Sequence, residues 1–545
     1  MADPAELNPQ MFPRLDPGQI QRLRAFGIQG DVQPGDILFD IGDVSHGVFV
    51  VIAGAVEVLA VSADTENLIR VLSPGMFTGE VNQLSGRRSL VRCRAREAGV
   101  ILELSRPNLQ RLMQTDVALG ELFLTAFLLR RVYLIENAVG DAILIGSTHS
   151  GDTLRLREFL TRNGHPHTYV DVERDEDVQA TLDHFGVGVE DVPVLICRGD
   201  LVLRNPTNAE AAECFGLNAG IDDQDVYDLV VVGAGPSGLA AAVYGASEGL
   251  NVLVVEANAP GGQAGTSSRI ENYLGFPLGI SGQDLTQRAF VQAEKFGAHI
   301  AVARTVRKLR STRQPYEIEL EDGASVKARA IIVAAGARYR KLPLPNLADF
   351  EGAGIYYAAT HIEAELCRTD EVAVVGGGNS AGQAALFLSN YARHVDIFVR
   401  RSGLAETMSR YLISRIEACP RITVHPLTEV EAVEGDRHLE RVQWACKSKG
   451  ESRAHNIRHL FLMTGAEPNS AWLRGCLAMD TGQFIRTGVD VTDDWKLRRP
   501  PYLLESTLPG VFAVGDIRSG SIKRVASAVG EGSMAVQFVH RVLAG

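Results

Sequence analysis

The chain is 545 residues long, which at roughly 150 residues per domain predicts three or four domains and excludes a single small fold. Its 46% hydrophobic and 22% charged residues match globular proteins and exclude extensive disorder. With 54 basic against 66 acidic side chains the net charge is -12, which excludes a nucleic-acid coat and disfavours an acidic lipid surface as partner, because phosphate binding demands clustered Lys and Arg.

The opening residues MADPAELNPQ carry neither the basic start nor the apolar stretch of a secretory signal. The longest apolar runs, Val48 to Val56 and Ala330 to Ala337, fall short of the roughly 18 residues a membrane helix requires. A cytoplasmic protein with no membrane partner is expected. Seven cysteines (Cys93, Cys197, Cys214, Cys367, Cys419, Cys446, Cys476) are scattered, with no two separated by only two residues, a reducing-compartment pattern without a local dithiol.

Residues 12–136 read as short β-rich runs with turn punctuation, closed by a helical pattern from Arg106 to Arg131: a small barrel plus helices. Pro34 to Phe39 leads through Gly42-Asp43 into the run from Phe49 to Val58. These residues resemble the cyclic-nucleotide-binding domain family. There, a Gly-Glu pair opens a short helix whose N–H groups hold the cyclic phosphate, the Glu takes the ribose hydroxyl, and an Arg neutralises the phosphate. The resemblance implies an effector site at Gly79 and Glu80, inside Phe77-Thr78-Gly79-Glu80, with Arg88 and Ser89. The Arg-Ser pair stands one residue earlier than in the family, lacks the usual preceding Pro, and has Arg87 as a rival. A barrel kept for packing or dimerisation is therefore the other reading.

Residues 140–217 change to an alternating α/β pattern: strands at Ala142 to Gly146, Thr168 to Val172 and Val194 to Cys197, helices at Leu154 to Arg162 and Val178 to Phe185. Val192-Pro193 before a strand resembles the proline segment of thioredoxin and glutaredoxin folds. Where that family carries Cys-x-x-Cys at a helix start, this chain has Ser147-Thr148-His149-Ser150. A hydroxyl cannot form a disulfide, so the domain reads as a redox-silent adaptor. His149 reads as a helix-start residue and His165 and His167 as surface residues. No metal is assigned.

From Asp228 a buried-strand run enters Gly233-Ala234-Gly235-Pro236-Ser237-Gly238, then a helix from Leu239 to Glu248 and a strand from Val252 to Val255 ending in Glu256. Gly233 permits a tight turn, Gly235 lets the backbone approach a pyrophosphate, Gly238 lets helix and strand pack, and Glu256 stands where a ribose-binding carboxylate belongs. A second fingerprint follows: Glu371 to Val375 enters Gly376-Gly377-Gly378-Asn379-Ser380-Ala381, and a later strand, Val395 to Val399, ends in Arg400-Arg401. Two guanidiniums at that strand end match a 2′-phosphate and select NADP over NAD. Two dinucleotide sites in one chain point to a flavin exchanging electrons with a nicotinamide.

From about Asp225 onward the chain resembles the low-molecular-weight thioredoxin reductase family of FAD flavoproteins. The resemblance implies an FAD domain over 226–340 and 465–545 and an inserted NADPH domain over 341–464. It places Gly262, Gln263, Asn272, Ala335, Gly336, Gly515, Asp516, Arg524, Val525 and Ala526 at FAD beside Gly233, Gly235, Gly238 and Glu256. It places Gly376, Gly378, Asn379, Ser380, Ala381, Arg400 and Arg401 at NADPH. Glu271 and Tyr273 flank Asn272, Val525 replaces the family's Gln, and the Gly530-Glu531-Gly532 region with Arg524 is expected to favour negative charge on the flavin ring.

Where the reductases carry Cys-Ala-Thr-Cys, this chain reads Ala358-Ala359-Thr360-His361. Thiol–disulfide exchange needs an attacking and a resolving thiol, and Ala and His supply neither. Cys367 reads as a small buried hydrophobe, and His361 as a candidate proton donor or helix-start residue. The expectation is a multidomain chain: a β-barrel-plus-helices cyclic-nucleotide-binding-like domain, a thioredoxin-like α/β domain, and a two-dinucleotide FAD/NAD(P) α/β reductase module. It would pass hydride from NADPH to FAD and on to a small-molecule or redox-protein acceptor, as a homodimer by resemblance. The other reading is a non-enzymatic flavin/NADPH or cyclic-nucleotide sensor. A transcription regulator is excluded, because no helix-turn-helix follows Glu136.

Overall fold

The computed structural model describes residues 8–44, 47–62, 65–85, 87–137, 142–173, 186–188, 191–197, 201–218, 226–267, 269–270, 272–311, 314–357, 359, 361–447 and 451–545. The expected helix from Val178 to Phe185, and Glu271, Ala358 and Thr360, lie outside these.

Up to Leu104 the short alternating runs form two antiparallel sheets. One holds Ile28–Val32, Gly99–Leu104 and Val48–Ala53; the other holds Ile37–Phe39, Arg92–Ala95, Val56–Ser62 and Thr65–Leu72. The helical pattern that follows is two helices, α1 (Arg106–Thr115) and α2 (Val117–Glu136). The break falls at Asp116, whose extended backbone ends α1 and whose carboxylate accepts the Leu119 N–H to start α2. Phe123 of α2 stacks on Phe77 with ring centroids 4.2 Å apart, which seats α2 against the barrel.

The next unit is a four-stranded sheet ordered Leu201–Arg204, Val194–Cys197, Ala142–Gly146, Thr168–Asp171. Helix α3 (Gly151–Arg162) connects its two parallel strands. The Val192–Pro193 bond is cis. Two corrections arise here. Cys197 and Cys214, 17 positions apart, are joined as a disulfide, because the last residue of one strand meets the last of the helix Asn208–Cys214. His165 is buried on the Phe215 ring, 4.2 Å between centroids, and is not a surface residue.

The largest sheet begins with β1 (Val226–Val232), flanked in parallel by β2 (Val252–Val255) and β3 (Ser325–Val333). The almost unbroken apolar run of β1 reflects burial on both faces, one of them under α4 (Pro236–Ser247). Helix α5 (Gly282–Lys295) packs beside α4. The inserted region has its own five-stranded parallel sheet, in which β4 (Glu371–Val375) pairs with β5 (His394–Val399) and α6 (Asn379–Leu388) follows β4. The two connections into and out of it, Ala337–Tyr339 and Ala466–Pro468, pair antiparallel. The chain then returns as β6 (Val511–Ala513), parallel to the end of β3, and finishes in α7 (Val525–Leu543) against α4. One buried apolar cluster runs from Phe77 and Phe123 through Leu156 and Phe159 to Phe290 and Leu229, so the first three regions share a core. Among the described residues no helix is long and apolar enough to cross a membrane.

Candidate active site

Each glycine cradle is a strand–turn–helix whose turn leaves no room for a side chain. At Gly233 φ is +103°, and a Cβ would stand 2.5 Å from the Ala334 carbonyl oxygen. A Cβ on Gly238 would stand 1.9 Å from the Gly233 oxygen, so α4 can start this close to β1 only with glycine there. Gly235, by contrast, is the N-cap of α4 and faces open space, with nothing nearer its Cβ position than Gly262 Cα at 3.9 Å. The same holds at Gly378, the N-cap of α6, and at Gly336. Gly235 and Gly378 are open backbone positions at helix starts and fit the diphosphate groups of two dinucleotides, while Gly336 stands in the loop after β3.

Glu256 stands at the end of β2 and accepts the N–H groups of Ala234 at 2.7 Å and Asn258 at 2.9 Å. Desolvation pushes its carboxyl above the usual range, against those two bonds and the nearby Arg162 guanidinium. Gln263 donates to the Ala337 carbonyl at 2.5 Å. Asn469 donates to the carbonyl of Ala335 at 2.9 Å, and its own N–H to that of Gly336 at 3.0 Å, tying the exit connection to the loop after β3. At Gly515 φ is +71° and its N–H reaches Glu531 at 2.7 Å. Desolvation raises the carboxyl of Asp516, opposed by Lys523.

Around the second cradle, Thr407 donates to the Gly377 carbonyl at 2.7 Å and Asn379 accepts the Ser409 N–H at 2.7 Å. Arg400 and Arg401 are exposed just beyond β5, and Arg401 also pairs with Glu406.

A single cavity of about 1820 Å³ joins the two cradles, well above the roughly 300–1,000 Å³ of one small-molecule site. It brings together Gly233, Gly235, Glu256, Gly262, Gln263, Asn272, Ala335, Gly336, Asp516, Arg524 and Val525 with Gly376, Gly378, Asn379, Ser380, Arg400 and Arg401. Gly238, Ala381 and Gly515 stand behind this surface as packing positions, with Ala381 and Gly515 buried. Ala526 is exposed and outside the lining, whereas Ala528, two positions along α7, lines it. His361 is also outside: it opens the helix His361–Leu366 exposed, with its ring nitrogen 3.3 Å from the Tyr391 hydroxyl. No cysteine lines the cavity among the described residues. Cys367 is fully buried, and burial pushes its thiol far up, out of the range of a nucleophile.

Glu531, in the region expected to favour negative charge on the flavin ring, has a structural part as well. Its carboxylate accepts the Gly515 N–H and pairs with Arg518 at 2.5 Å, so it fixes the β6 turn. Sequence reading also missed Asn469, Lys523 and Arg162. Asn469 follows the exit connection directly, which is the one local signal available; Arg162 belongs to another region and had none.

Of the effector residues of the first domain, Gly79, Glu80 and Ser89 are engaged within the domain and Arg88 reaches outside it. Glu80 pairs with Arg131 of α2 at 3.4 Å, and burial raises its carboxyl. Arg88 reaches the Cys214 carbonyl at 3.3 Å and lies over Gly216; its own carbonyl holds Asn82 at 2.7 Å. Ser89 donates to the Val91 carbonyl at 2.8 Å. At Gly79 φ is +105° and its Cβ position is filled by Phe127. Arg87, buried, stacks on Phe290 of α5 at 4.8 Å.

Residues 227–532 match the family described as pyridine nucleotide-disulphide oxidoreductase, and residues 30–116 match the cyclic nucleotide-binding domain. The chain is 31% identical over 364 residues to NADPH-dependent thioredoxin reductase 3 of Arabidopsis thaliana, covering 63% of this chain and 65% of that relative. It is 31% identical over 321 residues to a thioredoxin reductase of Streptomyces clavuligerus, covering 59% of this chain and 95% of that one. A solved structure of Lactococcus lactis thioredoxin reductase (FR conformation) superposes with a TM-score of 0.53 at 28% identity, over 58% of this chain and 99% of that one. With two adjoining dinucleotide cradles and a match over more than half its length, the chain belongs to the pyridine nucleotide-disulphide oxidoreductase family, as an NADPH-dependent FAD oxidoreductase that also carries a cyclic nucleotide-binding domain.

Proposed function

We propose that this thioredoxin reductase-like protein takes two electrons from NADPH and delivers them, without a protein dithiol, to an acceptor that enters the cleft from outside. The observation that carries the reading is the continuous cavity between the cradles, which Arg400 and Arg401 line at one end and no cysteine lines among the described residues. When bound, the nicotinamide supplies hydride and the flavin accepts it and passes the electrons on. The chain's part is to bind and orient. Gly233, Gly235, Gly262 and Gly336 leave backbone room at the FAD end, and Glu256 and Asp516 present carboxylates to its hydroxyl groups. Gly376, Gly378, Asn379 and Ser380 would seat the second diphosphate, and Arg400 and Arg401 would hold a 2′-phosphate.

The missing Cys-x-x-Cys leaves the acceptor to bring its own chemistry: a disulfide, a quinone, an iron–sulfur or flavin carrier, or oxygen. The thioredoxin-like second domain acts as an adaptor. The first domain acts on the reductase through Arg87 and α5, and a cyclic nucleotide is its candidate effector.

Anaerobic addition of NADPH to the purified yellow protein tests the reading. The flavin absorbance is expected to bleach, with the NADPH concentration required rising roughly tenfold or more in the Arg400→Ala, Arg401→Ala double variant and the NADH requirement unchanged. Absorbance that persists under excess NADPH would favour the sensor reading instead.

A further inference from the structure

The second domain lacks a dithiol, yet one stripe of α3 forms a wall of the dinucleotide cleft: Gly151, Leu154, Arg155, Glu158 and Arg162, at helical spacing. The stripe ends at the FAD cradle. Arg162 donates through Nη2 to the carbonyls of Gly262 at 3.0 Å and Ala259 at 3.3 Å, and through Nη1 to Glu158 at 3.3 Å. Its side chain is 14% exposed, and its Nε is buried without a partner. The domain is held here by further bonds: Gln283 to the Thr161 carbonyl at 3.2 Å, and Asn208 to Asn258 at 2.8 Å. Arg155, on the same stripe, is already used inside its own domain by Asn208, Asn205 and the Pro206 carbonyl.

A guanidinium held at a cleft wall by two backbone carbonyls, paired only at 3.3 Å with the half-exposed Glu158 carboxylate and left with one buried N–H unmet, keeps capacity for a further anion. The loop it grips is the one whose Gly262 lies against Gly235 of the diphosphate cradle, 3.0 Å from its Cβ position to Gly235 Cα. We propose that Arg162 is a cofactor-binding residue, supplied by the dithiol-free domain, whose charge serves the diphosphate of FAD. The domain's retained function is then carried by the flank of α3, and its lost thiols at the helix start are irrelevant to it. This rests on reading Gly233 to Gly238 as the FAD cradle.

The test uses full-length protein freed of flavin, titrated with FAD and with riboflavin, which lacks the diphosphate, at low and high salt. Arg162→Met is expected to bind FAD roughly 10- to 100-fold more weakly at low salt, with a flattened salt dependence and unchanged riboflavin affinity. Arg162→Lys should keep the salt dependence and part of the affinity. Arg157→Met, whose guanidinium stacks on Tyr169 away from the cleft, should match the unsubstituted protein. Equal losses in the Met and Lys variants, or a parallel loss of riboflavin binding, would make Arg162 a packing residue and overturn the proposal. So would unchanged FAD affinity in the Met variant. Failure of the unsubstituted protein to bind FAD would instead overturn the cradle reading.

Discussion

Glu294 of α5, the helix packed beside α4, is 3% exposed and lies against charged residues of the first domain. Desolvation raises its carboxyl to about 7, opposed by Arg87, Arg106 and Arg131 and reinforced by Glu80. The ordinary value for such a group is 4.5, so the folded protein holds this proton more tightly than the unfolded chain does. Stability contributed here is therefore greatest below about pH 4.5 and falls as pH rises toward 7. Glu294→Gln should melt higher than the unsubstituted protein above about pH 8, by a margin worth on the order of 3 kcal/mol at most, with the gap closing in acid. Thermal melts across pH check this, and a gap independent of pH would remove Glu294 as the titrating group. At this scale, legibility followed local spacing. Arg400 and Arg401 were readable because they end a strand after a glycine turn. Glu294, Arg162 and the Cys197–Cys214 pair were not, because each acts across a contact between segments distant in sequence.

Among the elements, the packing of α4 on α7 sets the position of the helix start at the Gly233 cradle. A Cβ on Gly532 of α7 would stand 2.2 Å from the Ser237 carbonyl oxygen, in the first turn of α4, and 3.1 Å from the Ala240 side chain. One residue earlier, Glu531 holds the Gly515 turn, so α7 fixes the Gly233 cradle and the Asp516 loop together. Gly532→Ala must push α4 away from β1 or α7 away from α4, and either opens the cradle. The variant is expected to purify with less than about a tenth of the flavin per chain, read from the visible-to-ultraviolet absorbance ratio, because a shift of this size in a close-packed contact costs several kcal/mol. Full flavin content would show that the helices slide without disturbing the cradle. The strands and helices here were legible, since apolar runs bounded by glycine declare a parallel sheet. The partnership of α4 with α7 was not, because nearly 300 residues of sequence separate Ser237 from the Gly532 that packs on it.

For the whole molecule, the proposed action of the first domain on the reductase has two contacts to run through. The arginines of that domain's Gly79-to-Ser89 segment, the effector cassette, are engaged elsewhere: Arg87 on Phe290 of α5, and Arg88 on the Cys214 carbonyl of the second domain, whose α3 continues to the cleft. A cyclic phosphate that recruits either guanidinium must loosen one of these contacts, so ligand binding and domain docking compete. Linkage then requires that weakening the dock tightens the ligand by the same factor. Phe290→Ala removes the ring under Arg87 while leaving every cassette residue in place. Calorimetric titration of the full chain with cAMP and cGMP is expected to show binding at least roughly tenfold tighter in Phe290→Ala than in the unsubstituted protein, with Arg87→Ala abolishing the difference. Equal affinities would mean that the ligand leaves the dock intact and that the first domain has no such route to the reductase. Absence of heat in every variant would assign the cassette wholly to holding the barrel against α5.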